Sequence, residues 1–152
     1  MTISTRQGDK GKSSVLEGKR LSKSSPIFNA LGTLDETNSW LGMMEGLGKI
    51  QKDLMTVSSI LAGAKLDFPA RKTLDLEREI DRIEGKLPKI SGFVIPRGKA
   101  AKWHFARALV RRAERAVVAL SQVKGKIPNS ILSYLNRLSD YFFIKARQAG
   151  RK

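Results

Sequence analysis

No cysteine occurs in the chain, and histidine occurs once, at residue 104. The first absence excludes disulfides, thiolate metal sites and cysteine nucleophiles. The second excludes a multi-histidine metal centre. Only an all-oxygen site for a hard cation stays open, and no metal-ligating residue is assigned. No apolar run approaches the roughly 20 residues that a membrane span needs. The opening stretch, Met1 to Lys12, is polar and has no apolar segment of the secretory kind. A cytoplasmic protein without a membrane partner is the expectation. Negative charge is also scarce: 14 Asp and Glu stand against 29 Lys and Arg, for a net charge of +15. Such an excess suits nucleotide phosphates, nucleic acid or an anionic membrane, or is simply a solvated basic surface.

What is present is a globular composition. Apolar residues make up 41% of 152 residues, enough for one domain with a proper core. Residues 1–25 read as loop or short extended structure, with Gly8, Gly11 and Gly18 among Ser, Lys and Arg and no convincing strand. Residues 26–148 read as helices. Pro26 suits a first turn, and apolar spacing runs from Ile27 to about Leu47. A second helix is expected from Ile50 to Leu66, ended by Phe68-Pro69. A third runs from an N-cap at Thr73 to Gly85. The fourth is the clearest: Trp103, Ala106, Val110, Ala113, Val117 and Leu120 form a bundle seam. The fifth runs from Asn129 to Gln148, and 149–152 is a basic tail. Five helices in one chain predict an all-α five-helix bundle.

Three segments carry chemistry. Thr5-Arg6-Gln7-Gly8-Asp9-Lys10-Gly11-Lys12-Ser13, with Arg20 and Lys23, joins glycines that let backbone N–H groups approach phosphate to hydroxyls and cations. It is not a Walker motif, and a flexible tail has the same composition. His104, Arg107, Arg111 and Glu114 recur at helical steps beside the apolar seam. They read either as a solvated flank with Glu114 paired to Arg111 or as a polar patch lining a cleft or a subunit contact. Asn136, Ser139 and Phe143 share a face of the fifth helix, suited to a base or ribose or to plain packing.

In this order the segments resemble the PduO-type ATP:cob(I)alamin adenosyltransferases. The family patterns T-R-x-G-D-x-G-x-T, G-x-R-V-x-K and G-T-V-D-E-L-N appear here as Thr5 to Ser13, Gly18 to Lys23 and Gly32 to Asn38. F-x-x-P-G-G, L-H-x-A-R, R-R-A-E-R and Y-L-N-R-L-S-D appear as Phe93 to Gly98, Trp103 to Arg107, Arg111 to Arg115 and Tyr134 to Asp140. The resemblance implies a homotrimer with active sites between subunits. Thr5, Arg6, Gly8, Asp9, Gly11, Ser13 and Lys23 of one subunit would hold the ATP triphosphate, with Mg²⁺ on the phosphates. Arg111, Glu114, Arg115 and Asn136 of the next would complete the nucleotide pocket. Asp35 and Arg107 would pair across the interface, and Phe93 would lie under the corrin of cob(I)alamin. Since Co(I) is itself a strong nucleophile, no protein nucleophile is needed.

The chain departs from the family in places. Pro96-Arg97-Gly98 breaks the P-G-G, Trp103 replaces a leucine, and Ile27 stands where a family arginine would be. Arg97 offers a replacement charge. Two rival readings are a non-catalytic adenosylcobalamin carrier of the same fold and a basic helical nucleic-acid-binding protein.

Overall fold

A computed structural model describes residues 3–16 and 18–151; Lys152, the last residue of the expected basic tail, lies outside the described residues. Five helices carry the architecture: α1 Pro26–Gly42, α2 Gly48–Leu61, α3 Arg71–Glu84, α4 Ala101–Lys124 and α5 Asn129–Ala149. The expected all-α five-helix bundle is therefore present. In space the helices neighbour one another in the order α2, α1, α4, α5, α3, so α4 and α5 form the middle of the molecule.

Side-chain size explains that centre. Ala106, Val110, Ala113, Val117 and Leu120 line the buried face of α4. Its small residues allow close approach by α1, whose buried face carries Ala30, Leu34 and Leu41. Thr33 and Thr37 are tolerated in that face because their hydroxyls donate to Ala30 O at 3.0 Å and Thr33 O at 2.7 Å. The two helices run antiparallel. Trp40, near the end of α1, donates to Lys102 O at 3.3 Å and meets Phe105 edge-on, with centroids 4.6 Å apart. From α5, Tyr134, Leu135, Leu138 and Phe142 fill the core.

Three expectations need correction. A short antiparallel hairpin precedes α1, pairing β1 Lys12–Ser14 with β2 Arg20–Ser22 and placing Ser13 opposite Leu21. Three-residue strands with one apolar side chain between them leave no period to read. Helix α2 stops at Leu61 rather than Leu66, because Gly63 turns the backbone to a φ of +112°. Helix α3 starts at Arg71, so Thr73 lies inside it and caps nothing; Pro69 opens the turn by accepting from Lys72 N at 3.1 Å.

One buried polar cluster closes the bundle. Asp53 of α2 is 5% exposed, accepts from Tyr134 Oη of α5 at 3.0 Å and pairs with Lys72 of α3. Burial, then the Asp53 charge, pushes the Tyr134 phenol far above its ordinary range, so it remains a donor.

Candidate active site

The amino-terminal segment folds into two tight turns. Asp9 N donates to Arg6 O at 3.3 Å and Gly11 N to Gly8 O at 3.2 Å. Gly11 has a φ of +70°, which side chains resist. The hairpin holds these turns in place: Lys23 N donates to Gly11 O at 2.9 Å, and Arg20 Nη2 to Gln7 O at 2.5 Å. Gly8 lies against the Lys23 ammonium, where an added Cβ would come within 2.9 Å of Nζ. Gly8, Gly11 and Lys23 are thus brought together, with Arg6 and Asp9 exposed in the same turns, Thr5 exposed just before them, and Ser13 half-buried in β1. Among the described residues, Arg6, Lys10, Lys12 and Lys23 form no salt bridge. Unneutralised cations beside turning backbone make an anion-attracting surface.

On α4 the arginines divide by partner. Arg112 is held by Glu36 of α1. Glu114 accepts from Asn136 Nδ2 of α5 at 3.1 Å, so the alternative pairing with Arg111 does not form. Arg111 and Arg115 are exposed and have no salt-bridge partner among the described residues. Arg107 lies over the Phe143 ring, 5.5 Å from its centroid. Ser139 is only 2% exposed and packs inside the bundle, unlike Asn136 on its expected face. His104 packs edge-on to Phe143. Burial first, then the neighbouring Arg107, lowers its imidazole below the ordinary value, so the ring is neutral at pH 7.

Between α3 and α4 runs a strap in which every residue from Pro88 to Lys99 is exposed. Phe93 on this strap is fully exposed and belongs to no core. It walls an open cleft of about 430 Å³ on one side and another of about 630 Å³ on the other. The larger cleft also takes in His104, Arg107 and Phe143, so the structure does bring Phe93 and Arg107 together. Phe143 as the ring under Arg107 was the residue that periodicity undervalued; its one signal was the shared face with Asn136.

Some expected residues do not meet within one chain. Asp35 is exposed on α1 and has no salt-bridge partner among the described residues, Arg107 included. No hydrogen bond or salt bridge among the described residues joins the segment 5–13 to Arg107, Arg111, Glu114 or Arg115. The hairpin lies instead where α4 ends, and its Val15 and Leu21 line a cleft with Leu120 and Val123. At about 1.5 Å per residue, Arg107 and Leu120 are about 20 Å apart along that helix. Ile27 is buried at 5% exposure at the same end, so α1 carries no charge there. Among the described residues no three His, Asp or Glu converge on a point that could hold a metal ion.

A five-helix bundle of this build is the fold of a PduO-type corrinoid adenosyltransferase. A PduO-type ATP:corrinoid adenosyltransferase variant from Lactobacillus reuteri, complexed with cobalamin and ATP, superimposes with a TM-score of 0.92 at 33% identity, over 99% of this chain and 91% of that one. The corrinoid adenosyltransferase MMAB of Homo sapiens is 40% identical over 174 residues, covering 99% of this chain and 69% of that protein. The corrinoid adenosyltransferase of Bacillus subtilis is 35% identical over 167 residues, covering 97% and 86%. The family described as cobalamin adenosyltransferase matches residues 3–149, and the chain belongs to it.

Proposed function

We propose that this chain moves the 5′-deoxyadenosyl group of ATP onto Co(I) of cobalamin, in sites built between the subunits of a homotrimer. The observation that carries this reading is the split of the two cationic groups. The turns at 5–13 with Lys23, and the stripe of Arg111 and Arg115, each offer unpaired positive charge. Among the described residues no hydrogen bond or salt bridge joins them inside one chain, so a neighbouring copy is the natural donor of the missing half. The L. reuteri relative is described with both ATP and cobalamin, which fits two adjoining substrates.

The residues then divide the work. Thr5, Arg6, Gly8, Gly11, Ser13 and Lys23 hold the triphosphate; Asp9, an exposed carboxylate, is the oxygen donor the turn can offer to phosphate-bound Mg²⁺. Glu114, fixed by Asn136, orients the nucleoside, and Arg111 and Arg115 face the phosphates. Asp35 meets Arg107 across the interface. Phe93 lies under the corrin and keeps a lower ligand off cobalt. The cobalt electron pair forms the Co–C5′ bond as the C5′–O bond breaks, and triphosphate leaves with the electrons of that bond. No general base is required. The protein contributes alignment and neutralisation of the leaving polyanion. The cytoplasm, a reducing compartment that favours Co(I), is the setting we assign, and the +15 charge serves triphosphate rather than nucleic acid.

The test is one assay. Purified protein, Mg-ATP and cobalamin reduced to Co(I) without oxygen should lose the Co(I) absorbance and gain that of a light-sensitive alkylcobalamin. A spectral change with finished adenosylcobalamin but none with ATP and Co(I) would establish carriage instead of catalysis.

A further inference from the structure

The strap separates two clefts, and Phe93 and Val94 line both. The larger holds His104 and Arg107. The smaller, about 430 Å³, is a different environment. Its apolar walls are Leu87, Val94 and Ile95, and it also contains Arg97, Arg147 and Arg151, with no acidic side chain in its lining. A volume of this order suits a drug-sized group rather than an ion. Two of the arginines are fixed in place: Arg147 donates to Pro88 O and pairs with Glu84 at 3.9 Å from outside the lining, and Arg151 Nη1 donates to Lys86 O at 2.9 Å. Arg97 is exposed and has no hydrogen-bond or salt-bridge partner among the described residues. An apolar slot rimmed by arginines recognises a flat aromatic group attached to a phosphate.

We propose that this second cleft receives the nucleotide tail of the corrinoid, with its benzimidazole against Val94 and Ile95 and its phosphodiester on Arg97. The inference rests on Phe93 lying under the corrin, as proposed above, with the ring seated in the cleft that also holds His104 and Arg107. With the ring there, a lower base displaced from cobalt leaves on the far side of Phe93, and the nearest built surface is the arginine cleft. The contact makes Arg97 a specificity residue that favours complete cobamides over tail-less cobinamide. It acts in binding and not on the reacting atoms.

The experiment compares cobalamin and cobinamide with the parent, Arg97→Gly and Arg97→Lys. Arg97→Gly should raise KM for cobalamin by about tenfold, the scale of one charge-assisted phosphate contact, and leave kcat and every cobinamide constant unchanged. Arg97→Lys should recover part of the loss. A second measurement is direct: α-ribazole 3′-phosphate, the free tail fragment, should bind the parent and lose affinity in Arg97→Gly. Inorganic phosphate should compete weakly. Equal losses for both corrinoids, or no loss for either, would overturn the assignment, as would tail-fragment binding indifferent to Arg97. A parent that turns over neither corrinoid would instead sink the underlying functional reading.

Discussion

His104 is the only histidine in the chain, so its titration can be followed without assignment. Burial lowers its proton affinity, and Arg107 adds to the effect. A proton NMR titration should therefore give a midpoint below the ordinary value of about 6.5. The sign for stability follows. Above about pH 6.5 the ring is neutral folded or unfolded and contributes no slope. As pH falls below that value the unfolded chain takes up the proton first, so stability drops until the folded midpoint is passed. His104→Asn should flatten the dependence of Tm on pH in that window. Arg111 and Arg115 make a different case. Both are exposed and neither has a salt bridge to lose. Arg115→Ala should leave Tm unchanged and lower kcat/KM for ATP by about 100- to 1000-fold, the range for one removed electrostatic stabiliser; equal losses in Tm and activity would argue for a structural role.

The elements were legible where burial imposes a period. Helix α4 alternates Ala106, Val110, Ala113 and Val117 at helical steps because two neighbours bury that face, and the same holds for Leu135, Leu138 and Phe142 of α5. Ends were harder, since they depend on single backbone conformations. Gly63 stops α2, yet a glycine among Ala62, Ala64 and Leu66 gives no hint that the apolar run beyond it is not helical. The hairpin was invisible for a related reason, because its three-residue strands are held by backbone pairing and only Leu21 within them packs against the core, which leaves no period to read. Helix α2 also carries a residue whose role only the packing explains: Asp53, within an apolar stripe of Ile50, Leu54 and Val57. Asp53→Ala would strand the Lys72 charge and the Tyr134 hydroxyl beneath α2. Thermal unfolding should show a loss of about 3 kcal/mol, or roughly 8 °C in Tm for a chain of this size. The double change Asp53→Leu with Lys72→Met should cost less, since it leaves no unpaired charge.

For the whole molecule, the candidate site was legible as a set of motifs and not as a place. Sequence order put the residues on the right elements, but the distance between the hairpin end of α4 and its Arg107 end is a property of packing. A site shared between copies makes a numerical prediction. Lys23→Ala spoils the half that one subunit gives, and Arg115→Ala spoils the half its neighbour gives. Each variant alone should be nearly inactive. In any mixed cyclic trimer one of the three junctions joins two intact halves, so co-expression at equal levels should restore about a quarter of parental activity. Inactivity of the mixture, with mixed oligomers shown by mass measurement, would place all the machinery in one subunit.

The exposed ring of Phe93 has a kinetic consequence. With the corrin over it, its attraction arises from water expelled and not from charge, and that gain is nearly the same before and after cobalt is alkylated. It deepens the wells of reactant and product alike and does not lower the climb between them. Discharge of the finished coenzyme is then slowed by the same contact that captured its precursor.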